Sequence, residues 1–119
     1  MAEKIITQKT KLLLQDYDHD KEPLFYWKVS DRFTSGIPDY AGTFYGVSFY
    51  VELKDEGEQA RRLQQWQLQR AENAGALTLS TDSFDEVKSF FESIRLGVLR
   101  PTREFHEFFE PNAQRQIRM

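Results

Sequence analysis

Apolar and polar positions along the chain change period several times, and each change marks an element. From Glu3 to Asp16, residues Ile5, Ile6, Lys9, Leu12 and Leu13 fall at spacings that place the aliphatics on one side of a helix. The charged, turn-like stretch from Asp16 to Pro23 leads into Leu24-Phe25-Tyr26-Trp27-Lys28-Val29, whose aromatic and β-branched content suits a strand. Ser35-Gly36-Ile37-Pro38 then punctuates the chain. The segments Asp39 to Tyr45 and Val47 to Lys54 follow on either side of Gly46, which predicts three successive antiparallel strands. Glu58 to Ala74 is free of internal Gly and Pro and is closed by Gly75, the usual residue just beyond a helix C-terminus. Ala76 to Ser80 is short and apolar, suited to a fourth, buried strand. Ser83-Phe84-Asp85-Glu86 has the form of a capping box, with Val87, Phe90, Phe91 and Ile94 at helical spacing behind it. Pro101 and Pro111 bracket Phe105, Phe108 and Phe109, which predicts one short amphipathic helix before a polar tail. The predicted order is α-β-β-β-α-β-α with a small extra helix.

Composition narrows what such a chain can be. A length of 119 residues, 39% of them hydrophobic and ten of them Phe, fits one domain that folds alone or as a homodimer, and indicates neither disorder nor a repeat array. The absence of cysteine excludes a disulfide framework, a thiolate zinc site and a cysteine nucleophile, and it fits a reducing compartment. No apolar run approaches the ~18 residues of a membrane span, and the N-terminus lacks a signal pattern, so a cytoplasmic protein with no membrane partner is expected. A net charge of -3 argues against a broad, sequence-independent grip on nucleic acid; any such surface must be local.

The candidate chemistry lies around the third predicted strand. Alternation along Val47 to Lys54 points Glu52 and Lys54 to one face, and Val51 and Leu53 to the other. A carboxylate there can hold a hard divalent cation, and an ammonium can orient a water or offset charge on a phosphate. Alone, such a pair on a strand is more often a solvated ion pair. Asp39 follows the Gly36-Ile37-Pro38 turn, where hairpin pairing could bring its carboxylate near Glu52. Two carboxylates suffice for magnesium, which completes its octahedron with waters and substrate phosphate. The plain alternative for Asp39 is a turn residue capping its own backbone. On the long helix, Ala60, Leu63, Gln64, Gln67, Leu68, Ala71, Ala74 and Gly75 share one stripe, which puts Gln64 on the packed side near the end of the Glu52 strand. An amide there needs a partner: Lys54, a bound water or a phosphate in one reading, a loop carbonyl in the other.

The run Ser35-Gly36-Ile37-Pro38-Asp39, then Glu52-Leu53-Lys54, Gly57, and Leu63-Gln64 with Gly75 after it, resembles the VRR-NUC branch of the PD-(D/E)XK nuclease superfamily, the virus-type replication and repair nucleases. The resemblance covers approximately Glu3 to Ile94. It implies an α/β fold with a mixed sheet, a restriction-endonuclease-like αβββαβ core with an extra C-terminal helix, divided as a nuclease domain over residues 1–96 and an extension over 97–119. It further implies that Asp39 and Glu52 are ligands of Mg2+ or Mn2+, that the Leu53 backbone carbonyl is another, that Lys54 is the catalytic lysine, and that Gln64 is the glutamine of the following helix. Gln65 stands next to it, and the stripe favours Gln64. Family members tend to carry a supporting glutamate on the first helix, for which Glu3 is the candidate.

The expected partner is DNA, branched or junction-like by analogy, in replication, recombination or repair within a bacterial or phage-infected cell. Lys28, Arg32, Arg61 and Arg62 are the candidate phosphate contacts, the last two at a helix N-terminus whose field favours phosphate. His19 and His106 lack ligand-like neighbours. The Phe105, Phe108 and Phe109 cluster either covers the sheet or pairs with a second copy, and the homodimer is preferred because it sets two sites for paired incisions. The rival is a catalytically inactive nuclease-fold module that binds nucleic acid or protein, which the acidic balance favours. A phosphatase or transferase of small phosphoesters finds no phosphate-cradling glycine loop here.

Overall fold

A computed structural model describes residues 5–29, 38–55 and 62–101. The elements are α1 (Ile5–His19), β1 (Leu24–Lys28), β2 (Tyr40–Phe44), β3 (Val47–Leu53), α2 (Arg62–Asn73), β4 (Leu77–Thr81) and α3 (Phe84–Arg95). This is the expected order in a mixed α+β fold: β1, β2 and β3 form an antiparallel meander, and β4 joins β3 in parallel after the crossover that carries α2. Glu3, Arg32, Arg61 and the Phe105 to Phe109 cluster lie outside the described residues.

The pairing registers sort the sheet into two faces. Tyr40, Gly42 and Phe44 of β2 stand opposite Val51, Phe49 and Val47 of β3, so all six belong to one face, and Leu24, Tyr26, Leu77 and Leu79 extend it. Helices α1 and α3 cover that face, burying Leu14, Tyr17, Val87, Phe91 and Ile94 against it. Phe91 meets Phe49 edge-on at 5.0 Å, and Tyr17 lies 4.9 Å from Phe44. Gly42 lets this layer close: a Cβ there would stand 2.1 Å from the Phe25 carbonyl oxygen and 2.9 Å from the Phe49 ring. The β2–β3 turn is the two-residue Tyr45-Gly46, both with positive φ, matching the twist of a tight hairpin. Tyr45 accepts this conformation while its ring packs edge-on against Phe44 and its hydroxyl donates to Glu22.

Two boundaries differ from expectation, as does the burial of α2. Helix α1 runs three residues past Asp16 to His19, because Tyr17 is an anchor: it is buried, and its hydroxyl donates to Glu92 on α3 at 2.5 Å. Its buried stripe is Ile6, Thr10, Leu14 and Tyr17, whereas Ile5 and Leu12, expected on the packed side, are exposed. Strand β4 gains Thr81, whose hydroxyl accepts from the Ser83 N–H and donates to the Glu86 carboxylate. That hydroxyl takes the place of the return bond in the capping box, so only the Ser83 side chain caps α3, accepting from the Glu86 N–H. In α2 no residue is fully buried; Gln64, Gln67, Leu68 and Ala71 are half-covered, and Leu63 stays exposed.

Candidate active site on the second sheet face

The opposite face carries Asp39, Glu52 and Lys54. Asp39 extends β2 by one residue: its N–H donates to the Val51 carbonyl at 2.9 Å, and its own carbonyl accepts from Val29 at 3.0 Å. That register sets it across from Glu52. Its carboxylate is bound across the strands, with Oδ2 accepting the Leu53 N–H at 2.6 Å, so among the described residues it caps the neighbouring strand. One carboxylate oxygen is thereby fixed against the Glu52-Leu53 peptide.

Glu52 and Lys54 are buried, their side chains 9% and 6% exposed, so the solvated surface pair that the bare sequence allowed is not what forms. The Lys54 ammonium lies 3.4 Å from Glu52 Oε1 and donates to Gln64 Oε1, while Gln64 Nε2 donates to Glu52 Oε1 at 3.1 Å. Three side chains from two elements thus close a ring, and the amide that joins it is that of Gln64, reaching down from the first turn of α2. A buried ion pair gives little net stability over an apolar pair of the same shape. Its presence at a strand end beside another carboxylate marks the cluster as the candidate for chemistry.

The donor set can be weighed against a cation. Among the described residues no group of three or more His, Cys, Asp or Glu side chains gathers at metal-binding spacing. Asp39 and Glu52 supply hard oxygens from adjacent strands, and the Leu53 carbonyl follows directly. Two carboxylates fit an ion that retains waters and shares its shell with phosphate, as magnesium does, and fall short of the six to eight oxygens calcium takes.

Other expected contacts are placed less favourably. Lys28 stands opposite Tyr40 on the core face, its ammonium 5.3 Å from the Tyr40 ring centroid, so it is not brought to the Asp39 and Glu52 side. Arg62 is exposed at the start of α2. One feature was missed: a cleft of about 400 Å³ beside Lys54, lined by Ile5 and Lys9 of α1, by Asp55, and by Asp82 and Phe84 at the start of α3. The signal for it was Lys9 itself, a cation inside the aliphatic spacing of the first helix. No helix among the described residues is long and apolar enough to cross a membrane.

No protein-family model and no curated protein matches the chain. A solved structure described as a VRR_NUC domain is similar to it, with 26% sequence identity and a TM-score of 0.51 over 70% of this chain and 95% of that one. The shared fold, joined to the Gly-Ile-Pro-Asp, Glu-Leu-Lys and helical glutamine pattern, supports placing this chain with the VRR-NUC nuclease domains.

Proposed function

We propose that the protein is a metal-dependent DNA endonuclease that hydrolyses phosphodiester bonds in branched or junction DNA, serving replication, recombination or repair in the cytoplasm of a bacterial or phage-infected cell. The observation that carries this reading is the buried Glu52, Lys54 and Gln64 ring across one strand from Asp39.

Asp39, Glu52 and the Leu53 carbonyl would hold Mg2+ or Mn2+, which when bound acidifies a water and polarises the phosphate. The remaining work falls to the chain. Asp39 is kept in place by the Leu53 N–H, so its second oxygen needs no reorganisation to meet a ligand. Glu52 and Gln64 take two N–H donors of the Lys54 ammonium and hold it at a defined point, leaving the third to donate to a non-bridging phosphate oxygen as charge builds there or to the attacking water. Burial strengthens each of these contacts. Glu3 from the segment before α1, with Arg32, Arg61 and Arg62, would supply further contacts to metal and phosphate. The nuclease unit would be residues 1–96, and a two-fold dimer through residues 97–119 would place two sites for paired incisions.

Purified protein with magnesium should cut a four-way junction, and Asp39→Asn should lower the rate by at least roughly a hundredfold, the usual cost of removing one electrostatic group of an active site. Cleavage by that variant at the native rate would overturn the proposal. The net charge of -3 favours the second reading, a non-catalytic binding module; absence of calorimetric Mg2+ and Mn2+ binding, together with absence of cleavage, would select it.

A further inference from the structure

The face that bears Asp39 and Glu52 is open over β1 and β2, since among the described residues α1 and α3 pack on the core face and α2 lies against β4. A strand face left to water is normally polar. Here it carries Phe25 and Trp27, 60% and 58% exposed, with their rings edge-on at 5.3 Å. The registers set these rings in rows with the site. Trp27, Ala41 and Tyr50 form one cross-strand row, and the next row toward the strand ends holds Asp39 and Glu52. Two residues of strand separate the rows, a distance of about 7 Å.

We propose that Phe25 and Trp27 are a stacking platform for unpaired nucleobases of the strand whose phosphate lies at Asp39 and Glu52. The inference rests on the nuclease reading and names its substrate class, DNA with a single-stranded stretch beside the scissile bond. A row step of about 7 Å matches the spacing of one to two nucleotides, so a strand seated at the carboxylates runs its bases directly over the rings. Small side chains at Ala41 and Thr43 leave the rings standing above the sheet. Charge points the same way: a chain of net charge -3 cannot rely on counterion release alone, and stacking supplies affinity that salt does not screen. A second copy docked on this face would close off the row of Asp39 and Glu52, which makes bases the better occupant.

Trp27 can report directly. In the full chain with Trp66→Phe, so that Trp27 is the remaining tryptophan, and with EDTA present to prevent cleavage, single-stranded oligothymidylate should quench emission at 0.3 M salt, while blunt duplex of equal phosphate content should not. Anisotropy of labelled oligothymidylate should show Trp27→Leu and Phe25→Leu each weakening binding roughly ten- to hundredfold, the range of one lost base stack. Both side chains are exposed, so an unchanged thermal melt is expected alongside. Unchanged affinity in both variants would overturn the platform. So would Trp27 already shielded from acrylamide in the free protein, which assigns the face to the chain's own residues 102–119, or a dimer that either variant dissolves, which assigns it to a second copy. Metal-free binding separates this outcome from the nuclease reading: loss of stacking with junction cleavage intact removes the platform only, and stacking without cleavage removes the activity only.

Discussion

Replacing Lys54 by Met tests whether the Glu52 and Lys54 pair exists for stability or for chemistry. At 3.4 Å and an effective dielectric of about 20, the attraction between the two charges is about 5 kcal/mol. Burying both groups costs several kcal/mol each, so the pair nets little, but removing only the ammonium strands a buried carboxylate and should cost about 3–5 kcal/mol of a total near 5–15 kcal/mol. The loss should depend on pH. Without Lys54 the buried carboxylate is tolerated only where it can be neutralised, which low pH favours. The deficit is then small near pH 4 and grows as pH rises toward neutrality. The double variant Glu52→Gln with Lys54→Met carries no buried charge and should return to native stability or exceed it, while remaining inactive. Urea unfolding at pH 5 and pH 8 measures all four corners of the cycle. A single Lys54→Met variant as stable as the native chain at pH 8, or a double variant weaker than that single one, would refute the account.

Gly42→Ala should destabilise by at least about 3 kcal/mol in urea, because the added carbon meets strand backbone 2.1 Å away that can retreat only by opening the β1–β2 pairing. A second set of groups, joining α1 to α3, adds its own pH dependence to stability. Hydrogen bonds from Arg95 and then Tyr17 hold the Glu92 carboxyl below its ordinary value of 4.5, so stability present above that value drains away as pH falls further. Burial, reinforced by the bond to Glu92, pushes the Tyr17 phenol above its ordinary 10.0, so stability present below pH 10 is lost as pH rises beyond it. Tyr17→Phe should cost about 1–3 kcal/mol at pH 7 and flatten the alkaline limb in thermal melts; an unchanged limb would contradict this.

Much of this was legible in the chain. Alternation in Val51-Glu52-Leu53-Lys54 assigned core and site to opposite faces without any tertiary information, and helical periodicity placed Gln64 on the packed side of α2. What stayed hidden depends on partners far along the chain. The stretch from Asp16 reads as a turn because its charges outnumber its one aromatic, and only the rings of Phe44 and Phe91, with Glu92 seventy-five positions away, turn Tyr17 into a helix anchor. Thr81 sat outside the predicted strand because its value lies in a hydroxyl that serves Ser83 and Glu86. Lys28 was assigned to phosphate because its charge was visible, while the side of the sheet it occupies follows from its pairing with Tyr40.

The two-residue turn at Tyr45-Gly46 has a consequence for how this protein can change over evolutionary time. It locks β2 to β3, and at the end of β3 the interior residues Val51 and Leu53 alternate with Glu52 and Lys54, the two proposed to act on phosphate. Deleting one residue within β3 ahead of Glu52 would present Leu53 where Glu52 should be and drive Glu52 and Lys54 toward the phenylalanines, and inserting one there would present Val51. Length variation here would be lethal to fold and activity together, and drift in this hairpin is confined to substitution.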